Sequence, residues 1–224
     1  MKLSTKRLLF AGIFLLACVG LYGVFSKLGL VFSLTHFPEV LCGEKCAPKG
    51  LHQPPVGDGL INGDQAIATL MNLSTLDSEK ITLLIEKSKF RLTVYYDQKP
   101  LKSYPVVLGS APTGDKLREG DRKTPEGLFQ IQDKYPHPSW SKFLWINYPT
   151  ADSWRKHLDA KRQGKIKVSD TVGSEIGIHG VPVGSNHLVD QRQNWTWGCI
   201  SLKNQDVDEL YGVVSKGTWI EILP

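Results

Sequence analysis

The feature that most limits what this chain can fold into is a change of pattern at residue 80. From Lys80 onward, short runs of strand-forming residues alternate with turns that contain Gly, Pro or Asp. Between Phe90 and Tyr96 the apolar side chains recur at every second position, which is the period of a strand with one buried face. Residues 80–224 are therefore predicted to form one mainly β domain.

Two segments of this domain have a helical period instead. Residues 152–163 and 204–214 predict two short helices, the second with an apolar stripe along one side. Residues 133–150 are rich in Pro, Trp and Tyr, and we expect an irregular stretch whose aromatic side chains are buried and do not form a lid. His187 is expected to be an exposed loop residue, and His137 receives no role.

The first 35 residues predict a signal anchor or transmembrane segment. Basic residues at positions 2, 6 and 7 precede an uncharged run from Leu8 to Phe25, and the apolar character resumes after Lys27. Because basic residues remain on the cytoplasmic side, the rest of the chain is expected in the cell envelope, as a periplasmic or extracytoplasmic domain. A cleaved signal and lipidation at Cys18 are the alternatives to an uncleaved anchor.

Residues 36–79 are predicted to be a linker that carries one short helix. Four prolines and several glycines in residues 36–63 are typical of an irregular stalk. Residues 64–78 place Ile67, Leu70 and Met71 on one side of a short amphipathic helix.

The composition is that of a globular protein and not of a disordered one. The 224 residues are 41% hydrophobic and 22% charged, and the net charge is +5. This positive excess suits an anionic surface such as cell wall or lipid headgroups. No basic run is interleaved with aromatic residues, so nucleic acid is not expected as a partner.

The four cysteines lack the spacing of a zinc site, and neither a metal nor an organic cofactor is expected. Cys42 and Cys46 are close enough along the chain to form a local disulfide in an exported protein. Cys18 lies in the apolar run near the N-terminus. Cys199 has no partner, and such a cysteine in an exported chain is either buried and inert or reactive.

The segments around His179 and Cys199 contain the residue types that acyl transfer needs. A thiolate is a strong nucleophile toward acyl carbons, and an imidazole nearby can accept the thiol proton. Gly198 allows a tight turn whose backbone N–H groups can stabilise a developing oxyanion. Taken alone, a structural histidine and an inert buried cysteine are equally consistent with these residues.

Three motifs follow one another in a specific order. They are a Gly-Asp-x-x-Thr-Pro-x-Gly element at residues 120–127, a His-Gly pair at 179–180 with Thr-x-Gly-Cys at 196–199, and a closing helix and strand from residue 204. On these motifs, residues 81–223 resemble the L,D-transpeptidase catalytic domain of bacterial peptidoglycan enzymes. The resemblance implies a β-sandwich or barrel with two short helices.

The resemblance also implies a role for each motif residue. The catalytic set is Cys199 as nucleophile, His179 as general base and acid, Gly180 as the residue that orients the imidazole, and Gly198 in the oxyanion turn. The substrate-binding set is Thr196, Trp197, Trp195 and Ser201. The two tryptophans are included because aromatic rings can stack on flat faces of a ligand, and core packing is the equal alternative for both.

The implied reaction is acyl transfer from a tetrapeptide stem of peptidoglycan, through a thioester on the cysteine, with release of D-alanine. The family implies meso-diaminopimelate as the third residue of the stem. Two alternatives stay open: a carboxypeptidase or hydrolase of the same fold, which detaches D-alanine or a wall-linked protein, and a non-catalytic wall-binding module. Trp197 and Ser201 depart from the residues that many members have there, which leaves the acyl acceptor open.

Overall fold

The computed structural model describes residues 5–27, 30–42 and 50–224. The helices are α1 (Thr5–Lys27), α2 (Phe37–Cys42), α3 (Ile67–Leu70), α4 (Ala151–Arg162), α5 (His187–Asp190) and α6 (Asn204–Val213). The strands are β1 (Ile81–Glu86), β2 (Arg91–Tyr96), β3 (Lys99–Pro105), β4 (Gly127–His137), β5 (Ser141–Ile146), β6 (Gly177–Gly180), β7 (Ile200–Leu202) and β8 (Trp219–Leu223).

All eight strands belong to one curled sheet with the order β3-β2-β1-β8-β4-β5-β6-β7. Neighbouring strands are antiparallel except for the pairs β1–β8 and β6–β7. The chain that follows β3 reaches β7, where the amides of Val107 and Ser201 each donate to the other's carbonyl oxygen at 2.9 and 2.8 Å. The two ends of the strand order therefore meet, and the mainly β architecture predicted from the sequence is confirmed.

The core lies inside the curl and positions the strands that carry the site. Its side chains come from several strands and from α6, which packs against β5 and β6. Members with no more than 1% of their surface exposed include Leu83, Ile85, Phe129, Ile178, Ile200, Val207 and Leu210. Because this burial is spread over the whole sheet, β6 and β7 are held by the same core as β1 and β8.

Residues 50–59 lie along the other face of the sheet. The Glu221 carboxylate accepts hydrogen bonds from the backbone N–H of Leu51 at 3.0 Å and from that of His52 at 2.7 Å. The buried Arg91 guanidinium donates to backbone carbonyls in the same segment, those of Pro55, Gly57 and Gly59. This part of the predicted linker is therefore held against the β domain, and β2 is covered on both faces.

Two local expectations were wrong. Residues 133–150 were expected to be irregular, but β4 and β5 form a hairpin there that turns at Pro138–Trp140. Pro136 and Pro138 fall near the end of β4 and in the turn, where a missing N–H costs little. Only Ile67–Leu70 of the helix expected over 64–78 is α-helical, because the side chains of Asn72 and Asp77 accept backbone N–H groups two residues on and cap separate 3-10 turns instead.

The N-terminal expectations are described only in part. α1 covers most of the apolar run, and within the described ranges no helix reaches the combined length and apolarity that crossing a bilayer requires. The membrane anchor stays a prediction. Cys42 is disulfide-bonded, whereas Cys46 lies outside the described residues.

Candidate active site

Cys199 lies at the end of a tight turn that leads directly into β7. Gly198 has φ +137°, and a Cβ at this position would lie 2.7 Å from the carbonyl oxygen of Lys123, so the turn requires glycine. The Thr196 hydroxyl holds the turn from inside: it accepts the Gly198 N–H at 3.2 Å and donates to the Cys199 carbonyl at 2.6 Å. The position of the thiol is thus set by backbone geometry and one buried hydroxyl.

His179 is brought beside this turn by the parallel pairing of β6 with β7. In this register His179 lies opposite Ser201, and Cys199 precedes Ser201 by two residues. Because side chains two residues apart in an extended chain share a face, the register brings His179 and Cys199 to the same face of neighbouring strands. The same row of side chains continues across the sheet: Phe143 on β5 lies opposite His179, and Tyr135 on β4 lies opposite Phe143.

The imidazole of His179 is enclosed by aromatic rings, and only 2% of the residue is exposed. The Trp140 ring stacks on it with centroids 4.4 Å apart, and the Phe143 ring is nearly parallel to it at 5.8 Å. The Trp195 ring meets it edge-on at 5.6 Å. His137 extends the stack, with its ring 4.3 Å from that of Trp140.

One hydrogen bond fixes which nitrogen of His179 carries the proton. Nδ1 lies 2.7 Å from the carbonyl oxygen of Gly180, and a carbonyl can only accept, so Nδ1 is the donor and Nε2 keeps its lone pair. The buried Ser201 hydroxyl donates to the same carbonyl at 3.2 Å. Gly180 must be glycine here, because a Cβ would overlap Asn204 Oδ1 and lie 2.5 Å from the Trp140 carbonyl oxygen.

The surroundings of His179 and Cys199 shift the pKa of each group toward its neutral form. Burial lowers the pKa of His179 to about 4, against a smaller opposite effect of its bond to Gly180. Burial raises the pKa of the Cys199 thiol to about 11, and the Gly177 N–H and the Lys116 charge only partly offset it. The thiol donates a long hydrogen bond to the Glu175 carbonyl at 3.7 Å. Both shifts favour the neutral forms, which are a thiol at Cys199 and an imidazole at His179 whose Nε2 keeps its lone pair.

The four residues assigned to substrate binding fall into two groups. Thr196 and Ser201 are 4% and 0% exposed and bond to the backbone around Cys199 and His179, which favours a positioning role over contact with substrate. Trp195 is half-buried against His179, whereas Trp197 is 74% exposed in the turn that leads to Cys199. Trp197 is thus the member of the set with the most surface available to a ligand.

Sequence reasoning expected the aromatic residues of 133–150 to be buried and gave His137 no role, and so it did not place three ring-bearing residues at the imidazole. His137, Trp140 and Phe143 contact each other or His179, and all three lie in or next to the turn of the β4–β5 hairpin. The signal that could have located them is the hairpin itself. Among the residues that the structure describes, no cluster of three or more His, Cys, Asp or Glu side chains could hold a metal ion.

Comparisons with known proteins agree with this arrangement. The family model described as the L,D-transpeptidase catalytic domain, YkuD, matches residues 80–222. The candidate L,D-transpeptidase YkuD of Bacillus licheniformis is 24% identical over 171 residues, which are 76% of this chain and 82% of that protein.

Two solved structures are similar to a smaller share of this chain. The helical cell shape determining protein Pgp2 of Campylobacter jejuni is 27% identical, with a TM-score of 0.45, over 63% of this chain and 46% of that one. Bd1075 of Bdellovibrio bacteriovorus is 24% identical, with a TM-score of 0.43, over 64% of this chain and 48% of that one. This chain spans about half the length of these two solved chains. Because the family model covers well over half of the chain and includes both the His-Gly pair and the Thr-x-Gly-Cys turn, the chain belongs to the L,D-transpeptidase catalytic-domain family.

Proposed function

We propose that this chain is a peptidoglycan L,D-transpeptidase that carries the acyl group of a tetrapeptide stem as a thioester on Cys199. The observation that carries the proposal is the Nδ1 hydrogen bond of His179 to the Gly180 carbonyl, because it leaves Nε2 as a base on the face that the register shares with Cys199. A histidine that served only to fill the core would not need one fixed tautomer on that face.

The first half-reaction forms the thioester. As Cys199 Sγ attacks the carbonyl carbon that precedes D-alanine, the thiol proton moves to Nε2 of His179. The tetrahedral intermediate then collapses, the C–N bond breaks, and the imidazolium returns the proton to the departing amine. Because burial lowers the pKa of His179 to about 4, the imidazolium is a strong acid and gives up its proton readily.

The second half-reaction releases the acyl group to an amine of another stem, with His179 Nε2 as base for the incoming amine. Each step conserves protons, and the enzyme returns to thiol and neutral imidazole. If water takes the place of the amine, the product is a shortened stem without a cross-link, which is the hydrolase alternative.

The oxyanion is assigned to the backbone N–H of Cys199. The neighbouring N–H of Gly198 is already donated to the Thr196 hydroxyl at 3.2 Å. In the described part of the chain, no group accepts a hydrogen bond from the Cys199 amide. This narrows the expectation from the sequence, which gave the role to both amides of the turn.

The test is a digest of purified disaccharide-tetrapeptides analysed by mass spectrometry. We expect free D-alanine and cross-linked dimers with the wild type, and neither with Cys199→Ala or His179→Gln. His187→Gln is the matched control, because His187 is exposed on α5. Shortened stems without dimers would establish the hydrolase instead, and an active Cys199→Ala would refute the nucleophile.

The same proposal requires the domain to lie outside the cytoplasmic membrane, where peptidoglycan is. The basic residues and apolar run at the N-terminus support export. Fractionation with and without residues 1–35 tests this, since the shortened chain should remain in the cytoplasm.

A further inference from the structure

Arg122 has an unusual backbone for its residue type. Its φ is +56°, in the left-handed region that is unfavourable for residues with a Cβ. Its carbonyl oxygen accepts the N–H of Ala111 at 3.1 Å, which helps to hold this conformation. Strained residues persist where the surrounding structure requires them, and they concentrate at functional sites.

The strained residue is packed directly against the nucleophile's turn. Its carbonyl group lies so close to Gly109 that a Cβ on Gly109 would overlap it, and the same Cβ would lie 3.1 Å from Gly198 Cα. The carbonyl oxygen of the next residue, Lys123, is similarly close to Gly198: it would lie 2.7 Å from a Cβ at that position. The position of Arg122 relative to Cys199 is therefore fixed through contacts that only glycines permit.

The side chain of Arg122 lies over the exposed ring of Trp197. Its guanidinium carbon is 5.4 Å from the ring centroid, which is within the range of a cation–π contact. A contact of this kind does not use the N–H groups of the guanidinium as hydrogen-bond donors to an acceptor atom. Within the described residues no carboxylate pairs with Arg122, whereas Arg118 in the same loop lies 3.7 Å from Asp170.

Two other cations of this loop differ from Arg122. Lys116 is 4% exposed and pairs with Asp121 at 2.9 Å, and Lys123 is less exposed than Arg122. Glu175, which lies near Cys199, carries the opposite charge. Arg122 is exposed and has no carboxylate partner among the described residues, so its guanidinium is able to bind an anion.

We propose that Arg122, braced by Trp197, binds a carboxylate of the acyl-donor stem peptide and so determines which donors the enzyme accepts. This inference rests on the proposed function. The donor offers two carboxylates near the reacting carbonyl: the C-terminal one of the departing D-alanine and the free one on the side chain of the third residue. A guanidinium fork matches either of them in a bidentate pair.

The test measures binding without turnover, by calorimetry in the Cys199→Ala background. Three tetrapeptides are compared: the free peptide, its C-terminal amide, and the amide of the third residue's side-chain carboxylate. Arg122→Gly is the main variant, because glycine keeps the left-handed backbone while removing the side chain. Arg122→Lys keeps the charge without the fork, and Arg118→Ala is the control from the same loop.

We expect Arg122→Gly to weaken binding of the free peptide about tenfold or more, with partial recovery in Arg122→Lys and no change in Arg118→Ala. Amidation of the carboxylate that Arg122 binds should weaken binding to the protein that retains Arg122 by this same factor. It should not weaken binding to the Arg122→Gly variant any further. The amide that behaves this way identifies the carboxylate.

The inference is overturned if Arg122→Gly binds the free peptide as tightly as its parent, or if both amides weaken binding equally with and without Arg122. Failure of the proposed function has a different signature: wild type that releases no D-alanine from the free tetrapeptide. The calorimetric comparison still decides the role of Arg122 in that case, because it requires no catalysis.

Discussion

Thr196→Val removes one hydroxyl from the nucleophile's turn and preserves the shape of the side chain. The hydroxyl makes two hydrogen bonds, at 3.2 Å from Gly198 N and 2.6 Å to Cys199 O, and only 4% of Thr196 is exposed. Water cannot easily replace it, so an amide and a carbonyl lose their partner. Each buried group left unpaired costs about 1–3 kcal/mol, so with two such groups we expect the free energy of unfolding to fall by about 2–6 kcal/mol.

The melting temperature converts this loss into a measurable shift. For a domain of this size about 1 kcal/mol corresponds to roughly 2–4 °C, so Thr196→Val should melt roughly 4–24 °C lower than the wild type. Thermal unfolding followed by circular dichroism gives this value. Thr196→Ser is the matched control, because it retains the hydroxyl and loses only a methyl group.

The same change should slow acylation of Cys199. The Cys199 amide is the proposed oxyanion donor, and loss of one such donor costs about 10²–10³ in rate. Even if the turn is only loosened, the acylation rate should fall about tenfold, because a displacement of an ångström at the reacting atoms slows the reaction. Single-turnover reaction with a carbapenem, followed by intact-protein mass spectrometry, measures the rate. If Thr196→Val is acylated at the wild-type rate, the reasoning is refuted. If Thr196→Val and Thr196→Ser lose the same factor in rate, the effect comes from the packing of the methyl group and not from the hydroxyl.

Three further predictions concern the charge states and close contacts of the site. Because burial raises the pKa of Cys199 to about 11 from 9.0, its alkylation by iodoacetamide at pH 8 should be about 100-fold slower than that of a free cysteine, with no plateau near pH 9 in peptide-resolved mass spectrometry. Burial lowers the pKa of His179 from 6.5 in the unfolded chain to about 4 in the folded protein. Between pH 6.5 and pH 4 the imidazole is therefore protonated in the unfolded chain and neutral in the folded one. The stability that the neutral imidazole provides is complete above pH 6.5 and is lost as the pH falls toward 4. Urea unfolding at pH 7 and 4.5 should show that the wild type loses about 2 kcal/mol more than His179→Gln over this interval, and equal losses would contradict the assigned direction. Gly180→Ala should abolish acylation and lower the melting temperature, since its Cβ meets Asn204 and Trp140, whereas Gly212→Ala has open space and should do neither.

The sequence predicted those strands and helices whose apolar side chains repeat at a regular spacing within one segment. The alternation from Phe90 to Tyr96 corresponds to β2, and the periodic segments after residues 150 and 203 correspond to α4 and α6. The His-Gly pair and the Thr-x-Gly-Cys turn could be located because backbone geometry at a tight turn restricts the residues allowed there. Their chemical roles remain predictions until variants are assayed.

The rest of the site depends on contacts between distant strands, which no local pattern encodes. Trp140 and Phe143 reach His179 only because β5 pairs with β6 in one particular register. Thr196 and Ser201 carry hydroxyls that could bind substrate equally well, and only the fold shows that both hydroxyls point into it. The proline-rich residues 50–59 were expected to be a stalk, because composition cannot show that Arg91 and Glu221 will bind their backbone.

The position of β8 has a consequence for the order in which the protein can fold. β8 joins β1 to β4 in the middle of the sheet, although it is the last of the eight strands to be synthesised. Until β8 has left the ribosome, β1–β3 and β4–β7 can meet only where the chain after β3 contacts β7, at Val107 and Ser201. A growing chain therefore cannot complete the middle of this sheet until the last of its eight strands is available.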